Sequence, residues 1–89
     1  MKRILKINKA DNVAVTLVDG VKAGEVWSEG DDNVTLKEDI ARGHKFALRN
    51  IAEGEAVIKY GYPIGVATRD IAAGEWIHSH NLKTGLSDD

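Results

Sequence analysis

A turn that occurs four times is the feature of this sequence that most constrains its fold. Each copy reads Asp, Asn or Gly, then a β-branched residue, two variable residues, a glycine, a polar residue, a variable residue and a large apolar residue. The four glycines are Gly24, Gly43, Gly54 and Gly74. An Asx side chain can bond the backbone two residues further on, and glycine readily adopts a positive φ. Turns at this spacing are typical of short strands in a small all-β domain.

The segments that follow the turns favour the same fold. They read EVWS, KFAL, AVIKY and WIHSH, and each is short and β-prone. Helical periodicity is weak along the chain, with a single turn over 36–41 as the one exception. We therefore predict an all-β domain that contains at most one or two short helical turns.

Composition limits the size of the domain and its partners. The 89 residues are 43% hydrophobic and 29% charged, which predicts one globular domain over residues 1–89 with a thin core. Cysteine is absent, so disulfides and thiolate metal sites are excluded, and a reducing cytoplasm is the expected compartment. The net charge is −2 without any basic run, and no apolar stretch suits a membrane span or a signal peptide. We expect a cytoplasmic domain with neither a nucleic-acid nor a membrane partner.

The three histidines depart from the repeat or lie close to its turns. Three copies have Glu directly after the glycine, whereas the second copy has His44. His78 and His80 follow the last glycine, and in an extended chain they would share one face. If the turns gather at one end of the domain, the three imidazoles converge there; the alternative is that they are solvated strand residues. The pair His78 and His80 could ligate a metal only if a third ligand arrives from elsewhere.

Other polar residues could extend such a site. Lys45 follows His44, and Lys59 and Tyr60 lead into the run GYPIG, which we expect to be a shaped loop rather than a helix or a central strand. Asn81 follows the last histidine. Ammonium, hydroxyl, amide and imidazole groups together suit an anionic ligand rich in hydroxyls, such as a sugar acid. The alternative is that these residues are solvated or pack at the rim of a small core.

Most of the chain resembles a known family. The stretch NVTLKEDIARGHKFALRNIAEGEAVIKYGYPIGVATRDIAAGEWIHSHNLKT is similar to the N-terminal domain of the altronate dehydratase family, and its most specific pieces are GHKFAL, VIKYGYPIG, DIAAGE and HSHN. Galactarate dehydratases and the small alpha subunit of sulfolactate sulfo-lyase are relatives of that family. The resemblance implies a SAF domain with a β-clip fold, in which short strands fold over on themselves.

The resemblance also implies an activity. In the full enzymes this domain precedes a much larger catalytic domain, and the reaction is dehydration of a hexonate to a 2-keto-3-deoxy acid with ferrous iron or a similar divalent metal. We therefore expect an accessory domain or small subunit of a hydro-lyase that is inactive alone and does not bind the metal tightly by itself. The expected catalytic residues are His44, His78 and His80, and the expected substrate-binding residues are Lys45, Lys59, Tyr60 and Asn81.

Two classes of alternative stay open. The complete enzyme could be a galactarate dehydratase or a sulfolactate sulfo-lyase, because these share the scaffold. The domain could also be a carbohydrate-binding module without catalysis, or an oligomerisation module. The last is favoured if Trp27 and Trp76 form an exposed apolar patch, and a homo-oligomer is possible.

Overall fold

Short antiparallel strands make up the regular structure of residues 2–84. The computed structural model describes residues 2–84, and within them there is no helix and therefore none that could cross a membrane. The predicted all-β class is confirmed, whereas the helical turn expected over 36–41 is wrong, because that segment is irregular apart from a single β-bridge. The strands are β1 (Ile4–Leu5), β2 (Val13–Thr16), β3 (Val26–Glu29), β4 (Asp32–Thr35), β5 (Lys45–Ala47), β6 (Ala56–Lys59), β7 (Tyr62–Ala67), β8 (Trp76–Ile77) and β9 (Leu82–Lys83).

The strands form a central sheet with a smaller sheet on each side. The central sheet has the order β1-β2-β5-β8, the hairpin β3-β4 forms a second sheet, and β6-β7-β9 forms a third, all antiparallel. Neighbouring residues of β5 face opposite sides: Phe46 belongs to a core cluster with Val34 and Leu36, and Ala47 belongs to a cluster with Val57. This alternation of side chains along a strand buries both faces of the central sheet. The thin core expected from chain length is thus divided between two layers.

The turn glycines adopt the conformation that the repeat predicts. Gly24, Gly43, Gly54 and Gly74 all have φ between 83° and 90°. The turns are joined in pairs by isolated antiparallel bridges that connect the β-branched residue of one turn to that of another. The first turn pairs with the second and the third pairs with the fourth, so the chain contains two similar halves.

The Asx side chains of the repeat differ from the expected local arrangement. Asp39 accepts a hydrogen bond from the backbone of Ala23 at 2.9 Å, and Asp70 accepts one from Glu53 at 2.9 Å. Each bond crosses to the paired turn instead of closing the residue's own turn. The reason is that the bridges bring paired turns side by side, so that the neighbouring turn presents the nearer donor.

The expectation of a shaped loop over GYPIG is wrong. Only Tyr60 and Gly61 form the turn, and the remainder belongs to β7, the central strand of its sheet. Two features make Pro63 acceptable there. Its partner β9 pairs only with the last two residues of β7, and Ile64 is an extra residue between the pairs on either side. Pro63 therefore lies beside a bulge with a neighbouring strand on one side only, which is where proline is tolerated in sheets.

Candidate functional site

Three imidazoles gather around one indole. The ring centroid of Trp76 lies 5.7 Å from His44, 5.3 Å from His78 and 4.9 Å from His80, and the rings of His44 and His78 are 5.2 Å apart. Trp76 and His78 are stacked with an interplanar angle of 10°. We call these four residues the His–Trp cluster. The structure thus brings the three predicted histidines together, and their chemical role stays a prediction.

Antiparallel pairing of β5 and β8 places the cluster at one end of the central sheet. Phe46 pairs with Trp76 and Lys45 pairs with Ile77, so His44 precedes β5 at the same end at which His78 follows β8. Side chains alternate along each strand, and Trp76 packs against the first core cluster together with Phe46. The cluster therefore extends that face of the sheet toward solvent.

Replacement of glutamate by His44 frees this position for a new contact. In the third and fourth turns the glutamate after glycine accepts the backbone N–H three residues earlier, at 2.8 Å for Glu55 and 2.9 Å for Glu75. The His44 ring instead faces Trp76, and its Nδ1 accepts a hydrogen bond from Trp76 Nε1 at 3.1 Å. The glutamates of the repeat thus close their own turns, whereas His44 contacts the neighbouring strand β8.

His78 and His80 both contact Trp76, but not because they lie on one face of an extended strand. Strand β8 ends at Ile77, and residues 78–81 form a turn closed by the Asn81 N–H to the His78 carbonyl at 3.1 Å. The predicted extended strand over both histidines is therefore wrong. The turn folds both rings back onto Trp76, while both histidines stay exposed.

Asn81 holds this turn and does not line the surface. Its side chain is fully buried; Oδ1 accepts from the His78 backbone at 3.0 Å and Nδ2 donates to the Trp76 carbonyl at 2.8 Å. The expectation that Asn81 binds substrate is corrected accordingly, because both polar atoms of its amide are already used within the fold. Its role is to fix the backbone of two members of the His–Trp cluster.

The predicted cationic residues form a separate group on the other face of the central sheet. Lys45 is half-buried, and its pKa is lowered, first by burial of the ammonium and second by the charge of Lys59. The Lys59 ammonium lies 5.0 Å from the centre of the Tyr60 ring. Within residues 2–84 no hydrogen bond, ion pair or ring contact joins this group to the His–Trp cluster. The structure brings Lys45, Lys59 and Tyr60 near one another but does not merge them with the histidines.

A buried carboxylate supports the Tyr60 turn. Tyr60 is 57% exposed and has φ 61°, an unusual value for a residue with a side chain. Asp11 is buried, and its two oxygens accept the backbone N–H of Gly61 at 2.7 Å and of Asn8 at 3.0 Å. Sequence reasoning missed Asp11, and the only signal was an acidic residue two positions before strand β2.

Lys45 provides a prediction about stability. Because the pKa of Lys45 is lowered on folding, its charged ammonium destabilises the folded state. This destabilisation is complete at pH below the lowered pKa and decreases as the pH rises toward the ordinary value of 10.5. Lys45→Met is therefore expected to raise the free energy of unfolding at pH 7, by no more than roughly 0.5 kcal/mol because the half-buried ammonium is still screened by solvent, with the advantage shrinking at higher pH. Urea unfolding at several pH values measures this. Lys59→Met is the matched control and should give a smaller gain, since it removes only the lesser cause; a destabilised Lys45→Met would contradict the argument.

The possible metal-ligating side chains of residues 2–84 do not form a metal site. No group of three or more His, Asp or Glu residues within the described range 2–84 is arranged to hold a metal ion, so the His78 and His80 pair lacks the third ligand that a metal needs.

The fold and the cluster define a small all-β module that presents imidazoles from the end of its central sheet. Residues 2–85 match the family described as altronate/galactarate dehydratase SAF domain, and the chain belongs to that family.

Similar proteins agree with this assignment. The chain is 57% identical over 84 residues to the altronate dehydratase of Escherichia coli (strain K12), covering 94% of this chain and 17% of that protein. It is 49% identical over 88 residues to the altronate dehydratase of Bacillus subtilis (strain 168), covering 99% of this chain and 18% of that protein. It is 42% identical over 80 residues to the (2R)-sulfolactate sulfo-lyase subunit alpha of Chromohalobacter salexigens, covering 83% of this chain and 85% of that subunit.

The coverage figures show how this domain is used among its relatives. The chain spans less than a fifth of the length of the two altronate dehydratases, whereas it spans most of the sulfolactate sulfo-lyase subunit. The same domain is therefore a small part of one kind of protein and nearly the whole of a subunit of another. Most of each altronate dehydratase lies outside the matching region, whereas the sulfolactate sulfo-lyase relative is named as one subunit.

Proposed function

We propose that this chain is the accessory SAF domain of an altronate dehydratase, and that its His–Trp cluster completes an active site in a large catalytic domain or subunit. The observation that carries the proposal is the gathering of three imidazoles on a domain of this family. The high identity to two altronate dehydratases favours altronate over galactarate or sulfolactate as the substrate class. An accessory role agrees with the small share of those enzymes that the chain covers.

The reaction explains why imidazoles are useful at such a surface. Dehydration of altronate removes the proton from C2, breaks the bond between C3 and its hydroxyl oxygen, and releases water; the resulting enol becomes 2-keto-3-deoxygluconate. Charge develops on the carboxylate side of the substrate and on the departing oxygen, so donors placed there lower the barrier. Imidazole N–H groups of His44, His78 and His80 are suited to contact these oxygens. Lys45, Lys59 and Tyr60 would contact the substrate carboxylate only if the partner brings it to their separate face.

The metal belongs to the partner in this proposal. Ferrous iron or a similar divalent ion supplies Lewis acidity when it is bound in the complete enzyme. Because this chain offers no three-ligand group within residues 2–84, its ligands would come from the large catalytic part. The contribution of this chain is to exclude water and to offer hydrogen-bond donors.

Splitting the enzyme tests the proposal. The 89-residue chain, the large catalytic part and the two together are assayed with altronate and ferrous iron. We expect no turnover by the chain alone, at most weak turnover by the large part, and restored activity when the two are combined or fused. A combined sample in which this chain carries Ser79→Ala, an exposed neighbour of the cluster, serves as the matched control and should be restored equally.

Two results would contradict the proposal in different ways. Dehydration of altronate by the purified chain alone would show that the accessory role is wrong. Turnover of galactarate or sulfolactate but not altronate by the combined enzyme would show that the substrate is wrong while the accessory role stands.

A further inference from the structure

Trp76 makes a directional contact with His44 that the stacking in the cluster does not require. Its Nε1 donates a hydrogen bond to His44 Nδ1 at 3.1 Å. An indole nitrogen is only a donor, so the imidazole nitrogen that it contacts must be an acceptor. In the neutral ring the proton therefore lies on the opposite nitrogen, Nε2.

The fold immobilises Trp76 on several sides. Its backbone N–H donates to Glu38 Oε2 at 2.9 Å, and its carbonyl accepts from Asn81 at 2.8 Å. Its side chain packs against the first core cluster, and one face stacks on His78. A ring held by backbone bonds, core packing and stacking presents its N–H in one fixed direction.

We propose that Trp76 is a positioning residue that fixes His44 as a hydrogen-bond donor through Nε2. The rigid indole N–H selects the Nε2–H tautomer and sets the ring's orientation, so that His44 offers a donor rather than an acceptor to a ligand. The role toward substrate rests on the proposed function, with Nε2–H donating to a carboxylate or hydroxyl oxygen of the sugar acid. The tautomer itself does not depend on that function.

A purely structural role for Trp76 makes a different prediction. Packing and stacking need only an aromatic ring, so phenylalanine would replace Trp76 without consequence for His44. The hydrogen bond needs the indole N–H, which Trp76→Phe removes while keeping an aromatic ring. Trp27→Phe is the matched control, because Trp27 packs against the same core cluster and lies outside the His–Trp cluster.

Nitrogen NMR of histidine-labelled protein, recorded on the complete enzyme and on this chain, reads the tautomer directly. We expect His44 in the unsubstituted protein to carry its proton on Nε2, with a coupling between Trp76 Nε1–H and His44 Nδ1. Trp76→Phe is expected to abolish the coupling, to populate a second His44 tautomer and to lower kcat/KM for altronate at least fivefold in the complete enzyme. Trp27→Phe should leave the tautomer unchanged and kcat/KM within twofold.

Specific results would overturn the inference. A proton on His44 Nδ1 in the unsubstituted protein excludes the proposed contact, even if Trp76→Phe does not fold. A folded Trp76→Phe enzyme with an unchanged tautomer and kcat/KM within twofold would make Trp76 a packing residue. If the unsubstituted complete enzyme does not dehydrate altronate, the proposed function fails, and the NMR result still decides whether Trp76 positions His44.

Discussion

Gly74→Ala is expected to lower the free energy of unfolding by about 3 kcal/mol or more, as measured by urea denaturation. Gly74 has φ 87°, where an added Cβ costs roughly 1–2 kcal/mol. The residue is also buried, and a Cβ there would collide with the Thr35 carbonyl oxygen at the end of β4. Backbone cannot move aside as a flexible side chain can, so overpacking adds roughly 1–3 kcal/mol.

Gly54→Ala separates the two causes. Gly54 has φ 85° and occupies the equivalent place in the third turn, yet no atom beyond Gly54 and its two chain neighbours lies within 4 Å of a Cβ built there. Its substitution should therefore cost only the conformational part, roughly 1–2 kcal/mol. Equal losses for Gly74→Ala and Gly54→Ala would show that the close approach to Thr35 is not what makes glycine necessary at position 74.

The contrast between these glycines shows how far the sequence predicts the fold. Local chemistry specifies a positive φ at each turn, and the turns were predicted from it. The sequence does not indicate which turn lies against β4, because that contact joins residues distant along the chain. The crossing bonds of Asp39 and Asp70 were missed for the same reason, since their donors lie in the paired turn.

Proline in the run GYPIG illustrates a second limit. Its missing N–H argues against a central strand, and by local rules a loop was the better prediction. The structure places Pro63 in β7 beside a bulge, where no second strand pairs with it. The residues of β7 alone do not show that its neighbour β9 pairs only with the end of the strand and leaves Pro63 without a partner on that side.

The three histidines of the candidate site were predictable from the sequence, but its central tryptophan and its organisation were not. His44 was conspicuous because it replaces a repeated glutamate, and the pair His78 and His80 was conspicuous by its spacing. Trp76, at the centre of the cluster, had no such signal, because a half-buried tryptophan is ordinary in a small core. Asn81 is expected to bind substrate because it is polar and follows a histidine, whereas burial and two backbone hydrogen bonds make it a turn residue.

His44→Ala is expected to lower kcat/KM for altronate about a hundredfold in the complete enzyme, roughly 2.7 kcal/mol of transition-state stabilisation. The reason is that a fixed donor at a developing charge contributes on this scale, and His44 is the imidazole of the cluster held by a directional bond. His80→Ala is expected to lose at least tenfold, roughly 1.4 kcal/mol, and less than His44→Ala, because His80 is exposed and contacts Trp76 through its ring alone.

His44→Gln and Ser79→Ala make this ranking decisive. Glutamine keeps an N–H donor, so His44→Gln should recover a large part of the activity that His44→Ala loses, whereas an acid or base role would be lost equally in both. Ser79→Ala should leave kcat/KM unchanged. The free energy of unfolding of each variant, measured by urea denaturation, should change by no more than about 1 kcal/mol, since a half-buried or exposed imidazole contributes little to a core. A His44→Ala enzyme with kcat/KM unchanged would remove His44 from the site, and a His44→Gln enzyme as impaired as His44→Ala would favour proton transfer over hydrogen-bond donation.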